Sequence, residues 1–181
     1  MISCKLKFLI VIFALCALAA CNDKPDVDQS KTEELLKCIY FSAEKAGVNL
    51  DSTLNAYEAF LVSEKFLADT TGQSYFDVYK AGADAGYIKI PEYNAVFPDM
   101  FTLMPCYFVV SGDKGARDEI KFFKIWEEIQ AGGGFNDKTV CTAISRNLDP
   151  EDFEKPFYRM VSLFSFNHIQ NNKSRELPIS L

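Results

Sequence analysis

Between residues 30 and 170 the apolar positions recur mostly at helical spacing. Over residues 31–46, Leu35, Leu36, Ile39, Tyr40, Ala43 and Ala46 fall on one stripe of period 3.6, which predicts an amphipathic helix. Ser30 with Glu33 forms a capping box ahead of it, and Gly47 can end it. A second helix is expected from a cap at Asp51 or Ser52, burying Leu54, Tyr57, Phe60, Leu61 and Leu67 until Thr70-Thr71-Gly72 breaks it. A third, Ser74–Ala85, sets Tyr75, Phe76, Tyr79 and Ala83 on one side and stops at Gly86. Short turns between three helices make antiparallel neighbours.

Further along, Ala116–Ala131 carries Ile120, Phe123, Trp126 and Ile129 and closes at Gly132-Gly133-Gly134, and Asp137–Asn147 makes a fifth helix. Asp149-Pro150-Glu151-Asp152 is a helix start, with Pro at the first position and acids facing the positive dipole end. Phe153, Phe157, Met160, Val161 and Phe164 then form the cleanest stripe in the chain, with a kink or restart expected at Pro156. Tyr87-Ile88-Lys89-Ile90 alternates like a short strand, and the tail Leu177–Leu181 could pair with it. Phe97–Val110, broken by Pro98 and Pro105, has no readable period. The expected fold is a single mainly α domain over residues 30–181, about six helices with a minor two-stranded β pair as the one open addition.

The first 21 residues follow another pattern. Lys5 and Lys7 precede an uncharged apolar run of 13 residues, Phe8–Ala20, and then Cys21. As a helix that run covers some 20 Å, short of the roughly 30 Å hydrocarbon core. The order of charged segment, short apolar segment and Leu18-Ala19-Ala20-Cys21 resembles the signal and lipobox of bacterial lipoproteins. That resemblance implies removal of residues 1–20 and acylation of Cys21 on its sulfur and new amino group. Two or more acyl chains suffice for stable anchoring, at about 0.8 kcal/mol per buried methylene. Asn22 follows the cysteine, with no Asp directly after it, which by the enteric pattern favours the outer over the inner membrane. Residues 21–29, polar and acidic with one Pro, read as a flexible tether.

Composition then narrows the partners. Loss of Lys5 and Lys7 reduces the 19 basic residues to 17 against 25 acidic ones, a formal −8 for the mature chain. Such a body is repelled by anionic headgroups and lacks the clustered basic surface that nucleic-acid binding needs. Among the mature cysteines besides Cys21, Cys106 and Cys141 are the preferred disulfide pair, because Cys38 lies inside the first helix and reads as a small buried hydrophobe. Three reduced thiols in the core are the competing expectation.

The chemical inventory is thin. His168 is the single histidine, so every triad or histidine-dependent zinc site would rest on it. It has no carboxylate three or four positions away and is expected near a helix C-terminus, favoured by the dipole; a Cys141–His168 protease pair is the remote alternative. Asp149, Glu151, Asp152 and Glu154 fit helix N-terminal charge better than a glycosidase carboxylate pair or a calcium loop, whose pattern Pro150 and Phe153 break. Gly112-Asp113-Lys114-Gly115 and Gly132-Gly133-Gly134 lack the phosphate-loop pattern and read as turns. Tyr57, Tyr75, Tyr79 and Tyr93 are expected mostly in the core, with a ligand groove as the alternative. No catalytic residue, metal or cofactor is therefore assigned. The expectation is a lipid-anchored envelope protein that binds a protein partner or supports an envelope assembly; an enzyme acting on envelope polymers and an immunity or inhibitor protein are the alternatives.

Overall fold

The computed structural model describes residues 27–94, 97, 105–106 and 119–176. Within them the chain is mainly α: α1 (Val27–Lys45), α2 (Leu50–Ser63), α3 (Gly72–Ala85), α4 (Lys121–Ala131), α5 (Asp137–Asn147) and α6 (Pro156–Glu176), with a 3-10 turn, Pro150–Glu154, leading into α6. The restart expected at Pro156 falls at the first residue of α6, where a missing N–H costs nothing.

Several boundaries differ from the local reading, each for a physical reason. Helix α1 starts at Val27, so residues 27–29 of the expected tether are helical and Ser30 is no cap. The early start follows from Asp28, which is buried and accepts hydrogen bonds from distant helices. Helix α2 is capped by Asn49, whose Oδ1 accepts the Ser52 N–H at 3.0 Å, one turn before the expected caps. It ends at Ser63 because Lys65 turns left-handed, at φ 59°, and the Phe66 and Leu67 N–H groups donate back to the Leu61 carbonyl. Leu67 is buried, but from this turn rather than from the helix. Gly86 ends α3 at φ 80°, as its freedom from a Cβ allows. Asn136 caps α5, accepting the Thr139 N–H at 3.0 Å.

No strand occurs among the described residues. Tyr87–Ile90 is irregular: Ile88 is buried, its N–H donating to Asp137 Oδ2 at 3.2 Å. Its expected partner, residues 177–181, lies outside the described residues.

Helix α6 is the shared packing partner, touching the 3-10 turn, α1 and α2, while α3 packs on α5 and the 3-10 turn and α4 on α5. Its burial is wider than one stripe. Phe157, Met160, Leu163, Phe166 and Ile169 are buried, and so are Ser162, Asn167 and Gln170 between them. The Ser162 hydroxyl donates to the Tyr158 carbonyl one turn back, and Gln170 Nε2 donates to the Tyr93 carbonyl at 2.9 Å, which fastens the segment after α3 onto α6. In the centre, Tyr75 and Tyr79 of α3 stack between Phe153 and Phe166 at centroid distances of 5.0–6.2 Å. Helix α3 can approach this closely because a Cβ on Gly82 would lie 2.3 Å from Ile88 and 2.7 Å from Cys141 Sγ. One on Gly72 would lie 2.0 Å from the Pro150 carbonyl oxygen.

Candidate functional site

The densest polar constellation lies where three helices begin. Helix α4 has Ile120 at its N-cap, a residue with no side-chain acceptor. Its first N–H, on Lys121, instead donates 3.0 Å to Oδ1 of Asp28, from the first turn of α1. The same carboxylate oxygen accepts the Tyr158 hydroxyl of α6 at 2.6 Å. One acid thus serves the start of its own helix and of α4 while pinning the first turn of α6, where negative charge is favourable.

Asp152 sits beside it, only 5% exposed in its side chain. It completes a capping box with Asp149 and accepts Lys121 Nζ at 2.6 Å and Lys155 Nζ at 3.2 Å. Lys155 Nζ also lies 3.9 Å from Asp28. Two carboxylates and two ammonium groups therefore alternate around the junction. Burial alone would raise the Asp152 carboxyl, but hydrogen bonds from Lys121, the Asp149 N–H and Lys155 outweigh it and hold the group below its ordinary value. Burial would lower Lys121, yet Asp152 outweighs that and the amine is raised. The Tyr158 phenol is raised by burial and then by its bond to Asp28. A general base or nucleophile working near neutrality needs a pKa tuned toward 7; Asp152, Lys121 and Tyr158 are all moved away from it. The chemistry on offer is positional: the cluster fixes three helix starts relative to one another.

A second trans cap serves α3. Thr71 at its N-cap makes no side-chain cap bond; Glu154 Oε1, from the 3-10 turn, accepts the Gly72 N–H at 2.5 Å. Nearby, Glu58 of α2 accepts the Tyr75 hydroxyl at 2.5 Å and lies 3.3 Å from Arg159 Nε, and Arg159 donates to the Thr70 carbonyl. Burial and then the bond to Glu58 raise the Tyr75 phenol.

The sequence candidates disperse rather than converge. Asp149, Glu151 and Asp152 open the 3-10 turn as expected, Glu154 closes it, and Asp152 and Glu154 also bond to partners far along the chain that local spacing did not announce. The expected Cys106–Cys141 bridge is corrected: Cys106 pairs with Cys38, Cα–Cα 5.6 Å, and Cys141 is a buried thiol packed on Gly82. Cys38 lies at a half-buried flank of the α1 stripe, with the Ser42 hydroxyl 3.5 Å from Cys106 Sγ one turn on. His168 is not at a helix end, since α6 continues two turns to Glu176; its ring meets Phe135 edge-on at 5.3 Å, and Phe135 meets Trp126 in turn. The favourable field of a helix C-terminus fades within the last turn and does not reach His168. Tyr57, Tyr75 and Tyr79 are fully buried core residues, while Tyr93 is half-buried and stacks on Phe60 and Tyr57. Gly132-Gly133-Gly134 is the turn ending α4, with φ 97° and 95° at its last two residues. Cys21 and Gly112–Gly115 lie outside the described residues.

Among the described residues no group of three or more His, Cys, Asp or Glu is disposed to hold a metal ion, and no described helix is long and apolar enough to cross a membrane. The class these observations define is a mainly α single domain knit by trans-capping acids. No known family model, curated protein or solved structure matches the chain.

Proposed function

We propose that this chain is an exported protein anchored to a bacterial membrane through acylated Cys21, whose helical domain acts as a non-enzymatic protein-binding or envelope-assembly module, in the outer membrane by preference. The observation that carries it is the order Lys5, Lys7, apolar Phe8–Ala20 and Leu18-Ala19-Ala20-Cys21. A disulfide between Cys38 and Cys106 suits the oxidising side of such a membrane. The non-enzymatic part of this reading is supported by the acids and lysines at the helix starts, which are engaged with one another and with backbone N–H groups. The mature −8 charge makes a protein the more suitable ligand than nucleic acid or an anionic lipid surface.

Mass spectrometry of the N-terminal peptide from envelope fractions tests the anchor. The expected result is a mature chain beginning at Cys21 with two or three acyl chains, and a full-length chain without acyl groups from Cys21→Ala. An unmodified cysteine, or wild-type protein that keeps residues 1–20 as the variant does, overturns it.

A further inference from the structure

The start of α1 sets how far the domain can stand from its anchor. Only residues 22–26 separate Cys21 from Val27, the first helical residue. However they are arranged, six Cα steps span at most about 20 Å. The 19 residues of α1 alone run about 28 Å. The tether is therefore shorter than the body it carries.

It cannot readily lengthen by unwinding the helix. Asp28 is 6% exposed and tied by Oδ1 to the Lys121 N–H of α4 and the Tyr158 hydroxyl of α6. Thr32 Oγ1 closes the turn onto the Asp28 carbonyl at 2.7 Å. Releasing Val27–Thr32 would leave the first N–H of α4 and a buried phenol without their acceptor, so the cost falls on three helices at once. The body also has a reason not to lie flat, since its mature charge of −8 is repelled by anionic headgroups.

We infer that the end of the domain where α1, α4 and α6 begin stays within about 20 Å of the headgroups of the anchoring membrane, with α1 directed away from them. This rests on the lipid-anchored reading. On that orientation Phe41, 56% exposed with Lys45 Nζ 4.3 Å over its ring, sits 14 residues beyond Val27 and so about 21 Å farther from the bilayer along α1.

The test uses lipidated full-length protein in vesicles of three parts phosphatidylethanolamine to one part phosphatidylglycerol, with an acceptor dye on a headgroup. Donors are attached without reductant to Val27→Cys or Phe41→Cys. Energy transfer is expected to be at least twofold stronger from position 27 than from 41. Fifteen Gly/Ser residues inserted between Asp26 and Val27 should abolish that difference. Equal transfer from both sites in the native-length protein, or no effect of the insert, overturns the inference. Hydrogen exchange supplies a second arm: amides 31–33, the first whose i−4 acceptors lie at or beyond Val27, should be protected in the wild type and exchange at least tenfold faster in Asp28→Asn. Free-chain exchange there in the wild type also overturns it. Acyl content measured on the same samples separates the two readings: absent acyl groups sink the anchor and this inference with it, whereas acylated protein without a gradient sinks this inference alone.

Discussion

Asp152 shows how one side chain can be structural and still carry a distinct pH signature. Its folded-state carboxyl is depressed, because hydrogen bonds from Lys121, the Asp149 N–H and Lys155 outweigh the effect of burial. The stability it contributes is therefore present above the unfolded carboxylate value of about 4 and is lost as pH falls through the lower folded value. Lys121, raised by Asp152 against its burial, works in the opposite direction. Its contribution is complete below the unfolded lysine value of about 10.4 and disappears as pH rises through the folded value. Asp152→Asn should then cost about 2 kcal/mol at pH 7, the range for hydrogen bonds to charged groups. Urea unfolding of wild type and variant at pH 7 and pH 3 checks it; the difference should shrink at pH 3. An equal loss at both values would mean that shape, not charge, is what Asp152 provides.

The helices themselves are largely readable, and most of what is not depends on partners far along the chain. Helix α5 falls at its expected bounds because its signals are local: Asn136 caps it, and Val140, Cys141, Ala143 and Ile144 bury on one side. Gly86 and Pro156 likewise act within a residue of themselves. The starts of α1, α3 and α4 depend on partners 82 to 130 residues away, Glu154 for Gly72, Asp28 for Lys121 and Tyr158 for Asp28, which no window along the chain contains. The stripe read for α6 was real but incomplete, because buried Ser162, Asn167 and Gln170 look polar in a periodicity count. Cys38 is legible as part of α1 but not as part of the bridge, since spacing carries no Cα–Cα geometry. At this scale Glu154→Ala should weaken the start of α3 by about 1 kcal/mol, as loss of an N-cap does. Hydrogen exchange at Gly72–Tyr75 should speed up while α5 stays protected. Uniform acceleration through both helices would show that Glu154 supports the whole packing rather than one helix end.

For the whole molecule, the consequential link is the Cys38–Cys106 bridge, because it joins positions 68 apart in sequence and closes a loop that encloses α2 and α3. Neither α2 nor α3 is tied to α1 by extensive packing of its own: α2 meets α1 and α6 lightly, while α3 rests mainly on α5 and the 3-10 turn, far along the chain. Cross-linking across a ring of that size restricts the unfolded chain by about 4 kcal/mol in the chain-entropy account. That is a large share of the 5–15 kcal/mol that holds a typical domain. The reduced form would then be the less stable one. A Cys38→Ser/Cys106→Ser variant should lose up to about 4 kcal/mol in urea unfolding, and wild type under reductant should match it. Adding reductant to the double variant should change nothing, since Cys141 is buried outside the bridge. If instead the variant unfolds at the wild-type midpoint and wild type ignores reductant, the bridge is stabilising no more than its two ends, and the packing of α6 against α1 and α2 carries the fold without it.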